Sequence, residues 1–345
     1  SGSLPTANYQ SVEDAQLTAK KTYSVISIER EALLASANDE GAFERLMDGR
    51  AKVGVESFMR NMSRQLFGNG DGSLGVSTAA NATGTAAAPV IIISAATWKE
   101  ANFEERDYVN IGSSNNAYSV SNVWEITAVA PSTRTITLSR ISGSVDLTAD
   151  AAAKTIYMQN SKDNDFSGLK GVCDATSGTL YGVNVGRRWQ SFQKAAGGIG
   201  ITTDLLNECM LGVHKQCGVS PNMIAMGYTQ YRKFLDLLED KKEYQILPRD
   251  QALRGLVSFK GIQFDSEAGP VPVVLERFVE DDRVYFLNDN YITLKMRPRG
   301  IHWFDDDGTI FLRDNTDSYS ARYGTYGDVY IAPPFQGVMT GLSTS

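Results

Sequence analysis

One amphipathic helix, far longer than any other periodic stretch, most limits what this chain of 345 residues can fold into. Phe43, Met47, Ala51, Val55, Phe58, Met59, Met62 and Leu66 recur at three- and four-residue steps, the spacing that lines one face of an α-helix. Asn38 and Asp39 stand where caps belong and Gly68 where a helix stops, so the pattern predicts a helix over 39–67. At 1.5 Å per residue that helix would be about 40 Å long. One small core cannot cover such a length, so the helix is expected to cross a flat domain as a spine with one buried face.

The order of the remaining parts is as informative. Residues 68–88 are rich in Gly, Ala, Ser and Thr without periodicity and read as loop. Within them Asp71-Gly72-Ser73 lacks the alternating oxygen ligands and closing glutamate of a calcium loop and reads as a turn. From Trp98 to Gln159 short β runs alternate with turns: Tyr108–Ile111, Ala117–Val120, Val123–Ile126, Thr135–Leu138 and Thr155–Met158. That spacing predicts a small barrel or sandwich.

After a loop over 160–200, Leu205, Leu206, Cys209, Met210, Val213 and Cys217 mark a helix that starts at Thr202-Thr203-Asp204 and ends at Gly218. A Pro-Asn turn, a buried strand over Met223–Met226 and a helix carrying Tyr231, Phe234, Leu235 and Leu238 follow, an α/β alternation. From Leu256 onward the chain reads as β hairpins, Leu256–Phe259 with Ile262–Asp265 first, ending in a long strand over Tyr319–Ile331 and a stop at Pro333-Pro334.

Residues suited to chemistry are scarce. Net charge is −7 with no basic block, which disfavours a phosphate-tracking groove. Cys173, Cys209 and Cys217 form no close Cys-x-x-Cys pair, so neither a disulfide framework nor a zinc knuckle is indicated and a reducing compartment fits. The longest apolar run, Ala86–Ala96, is too short to span a bilayer and no signal sequence opens the chain. A soluble protein made in the cytoplasm is expected, with Ser1-Gly2-Ser3 read as a tag remnant or a proteolytic start.

Cys209, His214 and Cys217 sit at i, i+5 and i+8 of one helix, which does not converge on a metal, so core packing is the better reading. Gly197-Gly198-Ile199-Gly200 lacks the lysine of a phosphate-binding loop and reads as a connector. Asp305-Asp306-Asp307 reads as a hairpin tip, because adjacent aspartates splay apart in a turn. Arg187-Arg188 beside Trp189 reads as a solvated or subunit-bridging pair. No catalytic residue, cofactor or metal site is predicted.

Taken in order, these segments resemble the major capsid proteins of tailed bacteriophages with the Hong Kong 97-like fold. "SIEREALLASANDEGAFERLMDGRAKVGVESFMRNMSRQLFGNGDGSLG" resembles that family's spine-helix region. "FEERDYVNI", "VWEITAVAPSTRTITLS" and "AKTIYMQ" resemble the β-barrel-like domain inserted in some members. "ITTDLLNECMLGVHKQCGVSPNMIAMGYTQYRKFLDLL" resembles the axial domain, and "VSFKGIQFD", "VYFLNDNYITLKM" and "FDDDGTIFLRDNTDSYSARYGTYGDVYIAPPFQGVM" the closing β parts.

The resemblance implies an α+β fold divided into an N-terminal arm and extended-loop remnant over 1–37, a spine helix and loop over 38–88 and an inserted β-rich domain over 89–160. A connector over 161–200, an axial α/β part over 201–255 and closing β hairpins over 256–345 complete it. It further implies a non-enzymatic subunit that self-assembles into pentamers and hexamers of an icosahedral head around double-stranded DNA, built in the host bacterial cytoplasm. Portal, scaffold, maturation protease and a cement or decoration protein are the implied partners, with no membrane. Tyr9, Lys20, Lys21, Tyr23, Arg30, Arg187 and Arg188 are expected at subunit interfaces. Two other readings compete: a carbohydrate-active or metal-dependent hydrolase using Asp305 to Asp307, and a phage tube or baseplate component.

Overall fold

The computed structural model describes residues 13–31, 40–113, 118–241, 262–266, 269–297, 300–304, 312–313 and 318–344. Strand β1 (Lys20–Glu29) alternates buried Thr22 and Ile26 with exposed Lys21, Tyr23, Val25 and Ser27, as a half-buried strand must. The predicted spine is present as α1 (Glu40–Leu66). It approaches β1 so closely that a Cβ at Gly54 would lie 2.5 Å from the Ile26 side chain. Phe58 of α1 is 2% exposed and meets Tyr323 edge to face at 5.2 Å.

The chain then enters the inserted module. Strands β2 (Ser73–Val76), β3 (Thr83–Gly84), β4 (Pro89–Ile92), β5 (Tyr108–Ser113), β6 (Val123–Ala130), β7 (Thr135–Ser142) and β8 (Lys154–Met158) pair in the order β2-β8-β5-β6-β7-β4-β3. A bridge between Ser77 and Ile93 joins the ends of β2 and β4 and closes the sheet into a barrel. Ile93, Val109, Ile111, Trp124, Ile126, Ile136, Leu138 and Ile156 fill it, each from the inward-facing positions of its strand.

Two readings change here. The tract 68–88 is not loop throughout: β2 and β3 lie within it, so the barrel begins ahead of residue 89. Strand β2 pairs with β8, some 80 residues further on, a signal that local composition does not carry, and β3 is a two-residue pairing with the adjacent β4. Tyr118 to Val120 form no strand; they fold over β5, where Asn110 Nδ2 donates to the Asn122 carbonyl at 2.7 Å. One end of the barrel is fastened by Lys154, 0% exposed. Its Nζ donates to the carbonyls of Ala80 (3.1 Å), Asp150 (2.6 Å) and Ala152 (3.1 Å), the compensation a buried ammonium requires.

The segment read as a loop over 160–200 contains α2 (Leu169–Cys173), the small pair β9 (Thr179–Leu180) and β10 (Val183–Asn184), and β11 (Phe192–Ala195). Then come α3 (Thr203–Cys217), β12 (Met223–Met226), α4 (Tyr228–Lys241), β13 (Ile262–Ser266), β14 (Gly269–Leu275) and β15 (Val284–Leu287). The last strands are β16 (Ile292–Met296), β17 (His302–Trp303), β18 (Leu312–Arg313), β19 (Ser318–Ile331) and β20 (Gly337–Thr340). Helix α3 begins where predicted, with Thr202 Oγ1 accepting from the Leu205 amide at 3.2 Å, and ends on Gly218 at φ 76°.

The closing region is less hairpin-like than its sequence reads. Its main sheet runs β11-β20-β15-β12-β14-β13, with β11 parallel to β20 and β12 parallel to β14. Strand β13 does turn back antiparallel on β14. Leu256–Phe259, its predicted partner, lies outside the described residues. This sheet is covered on both faces, which explains the uninterrupted Val284-Tyr285-Phe286-Leu287 run. Val284 and Phe286 face Leu206, Met210 and Phe234 of the two helices. Tyr285 and Leu287 face Phe67, Phe166, Val329 and Ile331.

The third sheet has β1, β19 and β16 in that order, with β17 and β18 also against β19. Among the described residues no helix is long and apolar enough to cross a membrane.

The end of the spine meets the start of α2 backbone to backbone. The Gly171 amide donates to the Gly68 carbonyl at 3.3 Å, and a Cβ on Gly168 would lie 2.2 Å from that carbonyl oxygen and 2.5 Å from that of Gln65. Neither atom can retreat without moving a helix end. Gly168→Ala is therefore expected to cost about 1–3 kcal/mol or more in chemical denaturation, while Gly186→Ala, with nothing within 4 Å of its Cβ, stays near wild type.

Candidate assembly surface

Residues directly opposite each other across antiparallel strands share a face, so the pairing of β1, β19 and β17 identifies what the outer face of that sheet displays. Lys21 stands opposite Tyr326, Tyr23 opposite Gly324 and Val25 opposite Arg322, while His302 of β17 is also opposite Gly324. Phe304 stacks on Tyr326 at 5.5 Å and meets His302 edge to face at 5.2 Å. Tyr23 and Val25 remain 56% and 53% exposed. The spine helix covers the opposite face, so this aromatic and aliphatic patch with Lys21 and Arg322 beside it is turned outward. An apolar centre with a charged rim is the anatomy of a protein interface.

Beside β1 lies a cleft of about 840 Å³ between the strand, the spine helix and the barrel. Five basic side chains line it, Lys20, Lys21, Arg60, Arg64 and Arg106, against two acidic ones, Asp107 and Asp165. Arg64 and Asp165 form a buried pair at 2.7 Å; burial pushes the Asp165 carboxyl above its usual range although Arg64 pulls it down. Arg60 ties the spine to the barrel through Asp107 at 3.3 Å and through Glu104.

A second ionic junction lies where the barrel root, α2 and the main sheet meet. Glu280 is paired with Lys99 at 2.9 Å, Lys170 at 3.2 Å and Arg283 at 3.4 Å, and Arg283 reaches Asp174 at 3.0 Å. Burial alone would raise the Glu280 carboxyl, but Lys99, Lys170 and Arg283 together bring it down to about 2. Lys99 is lowered by its own burial, against the attraction of Glu280, and also donates to the Phe278 carbonyl at 3.0 Å.

The spine, the barrel and the mixed sheet thus present an outward apolar face on β1 and β19. The profile of the SU10 major capsid protein family matches residues 115–309, more than half of the chain. The chain belongs to that family. This capsid protein is also similar in fold to a subunit of the cyanophage A-1(L) capsid, with TM-score 0.52, 8% identity, and 94% of this chain and 77% of that one covered.

Two weaker structural likenesses are to a satellite phage P4 procapsid including its size-determination protein and to the Synechococcus elongatus PCC 7942 encapsulin complex. The first has TM-score 0.34, 9% identity and coverages of 99% and 85%; the second 0.33, 12%, 44% and 54%. No curated protein matches the chain in sequence. The chain is thus a bacteriophage major capsid protein of the Hong Kong 97-like α+β fold, a structural component of the virion shell that assembles with its own copies.

Of the residues singled out in the capsid sequence, Lys21 and Tyr23 lie on the outer face of β1. Lys20 turns towards the barrel stem, its Nζ donating to the Asp163 carbonyl at 2.5 Å, and Arg30 follows directly after the strand. Arg187 and Arg188 are exposed between β10 and β11, with no described contact to β1. Tyr9 lies outside the described residues. Sequence reading did not single out Arg322, Tyr326 and Phe304 on the face or Arg106 in the cleft. The alternation in Tyr319 to Tyr330 carried part of that signal, but only the register with β1 sets which parity faces outward.

The cysteines and His214 form no joint metal site among the described residues. Burial pushes the Cys173 and Cys209 thiols up to about 12, which leaves them protonated and unreactive. Cys217 donates to the Val213 and Val219 carbonyls at 3.2 and 3.3 Å. His214 is exposed rather than in the core, its Nδ1 3.1 Å from Ser220 Oγ. The Gly197-Gly198 connector is tied to the C-terminal segment, with the Gly198 amide donating to the Gly341 carbonyl at 2.8 Å. Asp305 to Asp307 lie outside the described residues; among those described, no three His, Cys, Asp or Glu side chains cluster as metal ligands.

The Glu280 junction makes a pH prediction for the subunit. A carboxylate held below its unfolded value of 4.5, at about 2, contributes stability that is full above about pH 4.5 and is lost as pH falls towards 2. Denaturation midpoints over that window are expected to show the wild type losing on the order of 3 kcal/mol more than Glu280→Gln. Parallel curves for the two proteins would show that the cations do not stabilise the ionised acid.

Proposed function

We propose that this capsid protein forms pentamers and hexamers of an icosahedral phage head that encloses double-stranded DNA, without catalysing a reaction itself. The observation that carries this reading is the outward face of β1 and β19, apolar at Tyr23 and Val25 and buried on its other side by the spine. Such a face, repeated on identical wedges, gives each subunit several modest contacts with a closed set of neighbours, and symmetry and multivalency turn these into a stable shell. Tyr9, Lys20, Lys21, Tyr23, Arg30, Arg187 and Arg188 contribute to those contacts, and the stretch 202–255 lies around the symmetry axes.

Assembly takes place in the host cytoplasm with portal, scaffold and maturation protease, and the barrel receives a cement or decoration protein. The net charge of −7 suits an enclosed genome that is packed and released rather than gripped. Negative-stain microscopy and sedimentation of the expressed protein, concentrated and with any preceding residues of its reading frame included, are expected to show closed shells or five- and sixfold capsomers. Persistent monomers would overturn the shell, and rings or filaments alone would favour a tube or baseplate component.

A further inference from the structure

We propose that the charge-free wall of the barrel formed by β4, β7 and β6 docks against the same wall of a second copy of this chain. The inference deepens the shell reading above and rests on it. Residues 72–98 contain no Asp, Glu, Lys, Arg or His, although charged residues make up 21% of the chain. Residues 126–133 and 135–139 of the β6-β7 hairpin contain none either. Solubilising charge is thus kept off one part of the barrel.

Strand register turns that gap into a surface. Ile91, Ile93, Ile126, Ile136 and Leu138 fill the barrel, so their neighbours along each strand point outward. Val90 stands opposite Thr137, and Thr137 opposite Ala128. In the next row Ile92 stands opposite Thr135, and Thr135 opposite Ala130. These two rows cross three strands with small or β-branched side chains, and Ile92 keeps 48% of its surface exposed.

Charge identifies the occupant. A nucleic acid or a strongly charged protein finds no countercharge on these rows. A copy of this chain carries a net charge of −7, so two copies repel over most approaches and meet most readily where neither wall is charged. The margins fit the same arrangement. Glu125 lies opposite Ser139 beyond one row, and Arg134 sits at the β6-β7 turn beyond the other. A two-fold axis near Thr137 brings the Glu125 end of one wall to the Arg134 end of its partner, the self-complementary pattern of an isologous contact. With strands about 4.8 Å apart and about 3.3 Å per residue, the wall measures roughly 15 Å each way. That is well under the ~800 Å² per partner of a stable free dimer, so the contact forms between copies that the shell already holds side by side.

The test puts one reactive cysteine at the centre of the wall, Thr137→Cys in a Cys217→Ser background, since Cys173 and Cys209 are buried. Ala128→Cys, on the same row, is the second variant, and Ser144→Cys, exposed on the loop after β7, is the control. Assembled shells are treated with a bismaleimide, and the products are separated by denaturing electrophoresis and mapped by mass spectrometry. Position 137 is expected to join position 137 of another copy, with little dimer from the control. Adding Thr135→Lys, which sets like charges on facing walls, is expected to lower the dimer about tenfold. No dimer from either wall variant in intact shells, as much dimer from Ser144→Cys, or a yield unchanged by Thr135→Lys would overturn the contact and leave the shell standing. Failure of the wild type to form any shell would overturn the shell reading and this inference with it.

Discussion

Everything in this subunit hangs on the core at the C-terminal end of the spine helix. Phe67, just past the last helical turn, packs with Tyr285 and Leu287 of the main sheet, Val329 and Ile331 of the β1 sheet, and Leu169 and Val172 of α2. At about 1.5–3 kcal/mol for each large side chain removed from water, that cluster alone outweighs the few kcal/mol by which a domain is normally stable. It is also the one place where both large sheets share a core. Were it absent, the two would be separate domains with independent motion.

The two ionic junctions do a different job. Apolar burial fixes that surfaces meet but leaves their orientation loosely specified, whereas a buried acid surrounded by three cations tolerates little displacement. Glu280 with Lys99, Lys170 and Arg283 relates the barrel root to α2 and the main sheet, and Arg60 with Asp107 relates the barrel to the spine. A subunit that repeats its contacts with neighbouring copies needs a reproducible relation between its modules. Desolvation makes such pairs poor sources of net stability, so geometric specification is the better account of their place at the seams between modules.

What was legible in the sequence follows from the range of the interactions involved. The spine helix and α3 were legible to within a residue or two because their signals, apolar spacing and caps such as Thr202 and Gly218, are local. Strands β2, β11 and β20 were not, since each is short and is defined by a partner some 80 to 145 residues away, and the two-residue β3 is too short to carry a pattern. The outer face of the β1 sheet was half legible for the same reason. Tyr23 and Lys21 stood out on β1, but Phe304 and Tyr326 join them only through the register of β17 and β19. The short strands between Trp98 and Gln159 were legible as β runs, whereas β2 and β3 lie in a tract whose composition reads as loop.

A strand of ten residues with a backbone partner on only one side among the described residues is a hazard in any protein made in many copies, since indiscriminate pairing leads to aggregates. The sequence of β1 and its surroundings limit that hazard without removing the edge. Lys20 and Lys21 place positive charge at its start, the barrel and spine narrow the approach to a cleft, and Arg60 and Arg64 already hold their acids. Charge along a strand and a narrow approach to it are both devices that keep a sheet edge from indiscriminate pairing.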